Sequence, residues 1–187
     1  MRQASAFDRL KSRKMAGLGL MVSATALALG FGAVPSAAQP TVMSAQDYLM
    51  AAQGSDQFEV LAGETAMTQS HDPRVLAFAK QMIQDHTATT ASLRQAAMRS
   101  DTPLPPKALS DDGSHLLAEV QGQRGVDFDR AYAKTQVLAH QQALVVQQTY
   151  AQTGANRALR DAAKSAVPII TQHLQMAQQL KSAVGGS

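Results

Sequence analysis

From Ser44 onward, apolar and small residues recur at steps of three and four, which is the signature of helices that bury one face. The clearest stripe runs Leu159, Ala163, Ala166, Ile170, His173, Ala177 and Leu180. A second runs Val75, Ala79, Met82, His86, Leu93 and Ala97, flanked by Leu76 and Ile83. A third, Tyr48, Ala52, Ser55, Glu59, Ala62 and Ala66, is weak and built of small residues. In a fourth segment Phe128, Tyr132, Leu138, Val145 and Val146 read as the apolar face, with Val137, His140 and Leu144 to one side. Isoleucine occurs only at Ile83, Ile169 and Ile170, so strands have little to work with.

Local punctuation sets the ends. Ser44 can cap a helix with Asp47 at N3, and Asp72-Pro73 places a capping carboxylate before a proline at N1, where the missing N–H costs nothing. Asp101-Thr102-Pro103, with Pro105-Pro106, stops the second helix, and Thr153-Gly154 offers a glycine just past the third. The pattern predicts long helices over about 44–69, 73–100, 126–153 and 156–182, and a minor helix near 111–121. Short connections at both ends and one crossover of about 25 residues in the middle give an all-α fold: an antiparallel four-helix bundle with a short extra helix in the crossover.

The N-terminus changes the picture of charge. Of 17 basic and 14 acidic residues, five basic and one acidic lie in the first fourteen, ahead of an uncharged run from Met15 to Val34. That is the layout of a secretory leader, and Ser36 and Ala38 fit the −3 and −1 positions of a cleavage site. The expectation is a signal peptide over 1–38, a bundle domain over 39–187 with its core at about 44–182, and a periplasmic or otherwise exported protein. An uncleaved anchor is the alternative, and only then is the membrane a partner. The remaining chain keeps 12 basic against 13 acidic residues, which argues against a nucleic-acid partner. With no cysteine, it has neither disulfides nor thiol chemistry, and an apolar core or a metal must hold it.

Three histidines and a glutamate interrupt stripes that should be apolar: Glu59, His86, His140 and His173, one on each long helix. In an up-down bundle, residues near helix midpoints share a layer. Glu59, His86 and His140 sit near theirs, and His173 lies about one turn, ~6 Å, past its own. An unpaired buried carboxylate costs several kcal/mol. Three resolutions stay open: a transition metal bound by the four groups, a self-satisfied layer of hydrogen bonds, or exposure of one or more members. Imidazole with carboxylate suits Fe, Mn, Zn or Cu, without choosing among them. Asp85 adjoins His86 and Asp56 precedes Glu59 by one turn; by spacing alone both are solvated helix surface, with support of an imidazole as the alternative. His71 and His115 read as surface residues, and Met50, Met67, Met82, Met98 and Met176 as packing. Pro168, five residues before His173, removes the bond to the Lys164 carbonyl and predicts a bend.

Ala51-Ala52, Glu59, Phe78-Ala79, Asp85-His86-Thr87, Leu104-Pro105, Phe128-Asp129 with Tyr132, His140, Val167-Pro168 and His173-Leu174, in this order, resemble the exported bacterial family called domain of unknown function 4142. The resemblance covers about 44–182. It implies a ferritin-like bundle without an established activity, and it places the family's recurrent helix-1 acid and helix-borne histidines on Glu59, His86, His140 and His173. The di-iron Glu-x-x-His pattern is absent, because Ile83 and Ile170 stand three residues before His86 and His173.

The leading expectation is therefore an exported bundle that binds a metal or small ligand through a Glu/His layer, in envelope metal handling or stress protection. The alternative is a non-catalytic structural or interaction bundle, with an envelope protein or a second copy as partner. No catalytic residue is singled out. An oxidoreductase would need a redox metal with an open coordination position, and hydrolase and nucleotide-binding motifs are absent.

Overall fold

The computed structural model describes residues 42–186. The expected leader lies outside the described residues. Five helices follow in order: α1 (Ala45–Gln69), α2 (Pro73–Arg99), α3 (Asp111–Gln121), α4 (Gly125–Thr153) and α5 (Arg157–Gly185). There are no strands among the described residues, and no helix there is long and apolar enough to cross a membrane.

The caps act as the sequence implies. The Ser44 hydroxyl accepts from the Asp47 amide, the Asp72 carboxylate accepts from the Arg74 amide with Pro73 at N1, and Ser110 and Asn156 cap α3 and α5. Past α2, Asp101 takes the left-handed conformation (φ 49°) that commonly closes a helix. Gly154 departs from expectation: its backbone is extended (φ −58°, ψ 135°), not left-handed. Space is what demands glycine there, since an added Cβ would fall 2.5 Å from the Tyr150 ring.

α1 packs on α2 and α4, and α5 packs on α2 and α4, closing a four-membered ring of helices. End-to-end contacts fix the directions. The start of α1 meets the end of α4, where the Tyr48 and Tyr150 rings stack at 4.0 Å. At the other end Ser70, just past α1, donates to Asp129 near the start of α4, and Arg74 at the start of α2 donates to the Ala183 carbonyl near the end of α5. All four neighbouring pairs are therefore antiparallel. α2 and α4 run the same way, so the crossover between them must return the length of the bundle, the connectivity of ferritin-like folds. α3 lies on this crossover and packs on α1 and α4.

The core falls into two clusters, one around Phe58, Phe78, Met82, Phe128 and Tyr132 and one around Tyr48, Leu49, Leu93, Tyr150 and Leu159. α1 approaches α2 closely: a Cβ on Gly63 would lie 2.7 Å from Ile83 Cγ1 and 3.1 Å from the Ala79 carbonyl. α4 corrects the sequence reading. Leu138 and Val145 are exposed, whereas Val137, His140, Ala133, Ala139, Ala143, Gln136 and Gln147 face inward. Phe128, Tyr132 and Tyr150 are buried toward the two ends of the helix, and between them small and polar residues make most of the face on which α1, α3 and α5 pack. α5 continues through Pro168, which sits on its exposed side.

Candidate metal centre

The four polar residues singled out in the sequence are all buried: Glu59 1%, His86 1%, His140 0% and His173 1% exposed. His86 is the midpoint of α2, and α5 extends to Gly185, so its centre moves to residue 171 and His173 comes into the layer. The three imidazoles pack together with ring centroids 5.3–5.6 Å apart. One ring nitrogen of each lies within 4.8 Å of one from each of the others. Glu59 falls outside that group. Its Oε1 is 3.5 Å from His140 Nδ1, and its Oε2 is buried without a partner.

Each imidazole is held from behind by a different acceptor. His86 Nδ1 donates to Asp56 Oδ1 at 2.8 Å, His140 Nδ1 to the Gln136 carbonyl at 2.8 Å, and His173 Nε2 to Asp85 Oδ2 at 2.9 Å. A nitrogen facing a carbonyl or carboxylate oxygen carries the proton, so the other nitrogen of a neutral ring carries the lone pair. Those other nitrogens, His86 Nε2, His140 Nε2 and His173 Nδ1, are buried with no hydrogen-bond partner.

Asp56 corrects the sequence reading. Instead of solvated surface it is buried, and besides His86 it accepts the Thr89 and Thr90 hydroxyls at 2.9 Å each. The signal was thin: one turn before Glu59 on α1, opposite a Thr89-Thr90 pair on another helix that only the fold brings across. His71 and His115 are exposed as expected. Met82 is buried, but Met50, Met67 and Met98 are exposed, so packing is not their role.

Burial pushes the His140 pKa down to about 3, with His86 adding to the effect. Burial likewise lowers His173 to about 4, against its bond to Asp85. His86 goes the other way: burial disfavours its charge, but the Asp56 hydrogen bond and the nearby carboxylates outweigh it. Burial raises Glu59 to about 7. At neutral pH at least two rings therefore offer lone pairs with no proton to displace, as metal binding requires. Three partnerless ring nitrogens with every opposite nitrogen hydrogen-bonded make the donor arrangement of a histidine metal site, in which outer partners fix tautomer and orientation. The residues fit a borderline transition-metal ion.

Fold and site together define an all-α bundle with a buried histidine cluster at its waist. The chain belongs to the family described as Domain of unknown function (DUF4142), whose model matches residues 32–180. Among solved structures, CopM in the Cu(II)-bound form is similar in fold, with a TM-score of 0.61 and 13% identity over 74% of this chain and 95% of that chain. No curated protein matches the chain.

Proposed function

We propose that this protein binds a divalent transition metal through His86, His140 and His173, and serves metal handling in the cell envelope. The observation that carries the reading is the convergence of three buried imidazoles whose outward nitrogens are all bonded and whose remaining nitrogens have no partner. Leaving such atoms empty costs about 1–3 kcal/mol each, and an ion would satisfy all three at once. Asp56 and Asp85 lie behind the rings, and Glu59, raised to about 7, can give up its proton beside an ion, so a dication enters a layer able to neutralise it.

Three imidazoles suit copper and zinc better than the hard ions, which prefer oxygen. The Cu(II) bound by the structurally similar CopM supports trying copper first. Export through the N-terminal leader is part of the proposal and supports an envelope role. The test is metal content in untagged protein from its native compartment, alongside a His86→Ala, His140→Ala, His173→Ala variant. Near-stoichiometric copper or zinc, lost in the variant while circular dichroism stays helical, is the expected result. Protein that takes up none of Fe, Mn, Zn or Cu on incubation would sink the reading.

A further inference from the structure

A cluster whose three histidines are all buried cannot load from solvent without a route. A cavity of about 280 Å³ opens between α2 and α5, with α1 and α4 behind it. Its outer walls carry Ser92 and Arg99 on α2 and Asp161, Ser165 and Ile169 on α5. Its inner wall carries Asp56 and Thr89, the carboxylate bonded to His86 Nδ1 and the hydroxyl that helps hold it. A single imidazole thus separates this cavity from the unpartnered nitrogens. The small residues Ala52, Ala162 and Ala166 make the space, and Ala166 lies seven residues, two helical turns, before His173 on α5.

We propose that this cavity is the port through which a hydrated divalent transition-metal ion reaches and leaves the histidine cluster, with Asp56 as its inner carboxylate. The inference rests on the metal-binding reading above. Polar groups along the wall, among them Ser92, Gln95, Ser165 and Gln147, replace the water an entering ion sheds. Asp56 then meets the ion one ring short of its destination. Two other cavities do not offer this: the one lined by Phe78 and Leu180 has the Phe78 ring edge-on to His140, and the one under α3 is walled by Gly54, Phe58, Ala139 and Ala143 with no residue bonded to the cluster.

The experiment is stopped-flow uptake of Cu(II) by the full chain, and its release to a competing chelator. Ser92→Phe and Ser165→Phe fill the cavity from exposed positions on facing helices, Ile169→Ala widens it, and Val145→Phe puts the same ring on the outer face of α4 as a control. Uptake and release should both slow roughly tenfold in the filling variants, with little change in Kd, should quicken in Ile169→Ala, and should not change in Val145→Phe. Wild-type rates in both filling variants and in Ile169→Ala would overturn the port while leaving the site itself standing. A wild-type chain that binds none of Fe, Mn, Zn or Cu would overturn both.

Discussion

Each imidazole of the cluster answers to one outer acceptor, and the three acceptors differ in what they can lose. Gln136 offers a backbone carbonyl that no substitution removes, and Asp85 is half-exposed, whereas Asp56 is buried and fully engaged. Asp56→Ala should therefore weaken metal binding by about 10–100-fold, the usual cost of removing an outer partner, and competition against a chelator of known affinity would measure it; an unchanged Kd would remove Asp56 from the site. A second consequence concerns acid stability without metal. His140 and His173 are depressed to about 3 and about 4 when folded, so they add stability that is complete above the ordinary histidine pKa and lost as pH falls through the folded values. Glu59, raised from 4.5 to about 7, acts in the opposite sense: its contribution is full below 4.5 and lost as pH rises through 7. Between pH 6.5 and 4.5 the one carboxyl offsets only one of the two rings, so stability already falls by about 1.4 kcal/mol per pH unit on acidification. Between pH 4.5 and 4 only the histidines are left, and stability should fall by about 1.4 kcal/mol per pH unit for each ring protonated only when unfolded. Urea titrations of the metal-free protein across that range check the slope, and His140→Gln should flatten it. The polar members of the layer were legible in the sequence because each breaks an apolar stripe. Asp56 breaks none, and its partners arrive from another helix.

At the scale of elements, capping chemistry made the boundaries readable: Ser44, Asp72 and the Asp101-Thr102-Pro103 run sit where helices start and stop. Facing was harder. On α4 the aliphatic residues Leu138 and Val145 point outward, while between the buried aromatics Phe128, Tyr132 and Tyr150 it is mostly alanines, glutamines and a histidine that point in, where α1, α3 and α5 all pack on this helix. Hydrophobicity then ceases to report burial, and the reading that set His140 to one side of the apolar face failed for that reason. The same crowding makes a prediction on α1. Alanine normally stabilises a helix interior over glycine by about 0.5–1 kcal/mol, yet Gly63→Ala should destabilise by roughly 1–3 kcal/mol, because its Cβ meets Ile83 and the Ala79 carbonyl. Denaturant unfolding of Gly63→Ala and of Gly63→Ala with Ile83→Ala separates the causes. The second change relieves the 2.7 Å contact but not the 3.1 Å one, so recovery should be partial. A neutral or stabilising Gly63→Ala would mean that α1 and α2 can part at no cost.

Over the whole molecule, the waist layer joins parts of the chain that are distant in sequence. His86, His140 and His173 come from α2, α4 and α5, and the crossover that separates α2 from α4 returns the full length of the bundle before α4 begins. The chain has no disulfide to tie those helices. An ion held by all three can bind only when the helices are assembled, so its binding energy adds to folding energy. At a free metal concentration a hundred times Kd the gain is about 2.7 kcal/mol, which for a domain of this size is a rise in Tm of roughly 5–10 °C. The rise should grow with the logarithm of metal concentration and vanish with a chelator. Removing one ligand separates this from ions adhering to surface carboxylates: His173→Gln keeps every exposed acid and breaks the triad, so its Tm should barely respond to copper or zinc. The comparison must be made between metal-loaded and metal-free forms of the same variant, because filling the site with glutamine changes the stability of the metal-free bundle as well. If His173→Gln shows the same metal-dependent rise as the wild type, the stabilising ion sits elsewhere, and the waist layer is a hydrogen-bonded core feature and not a metal centre.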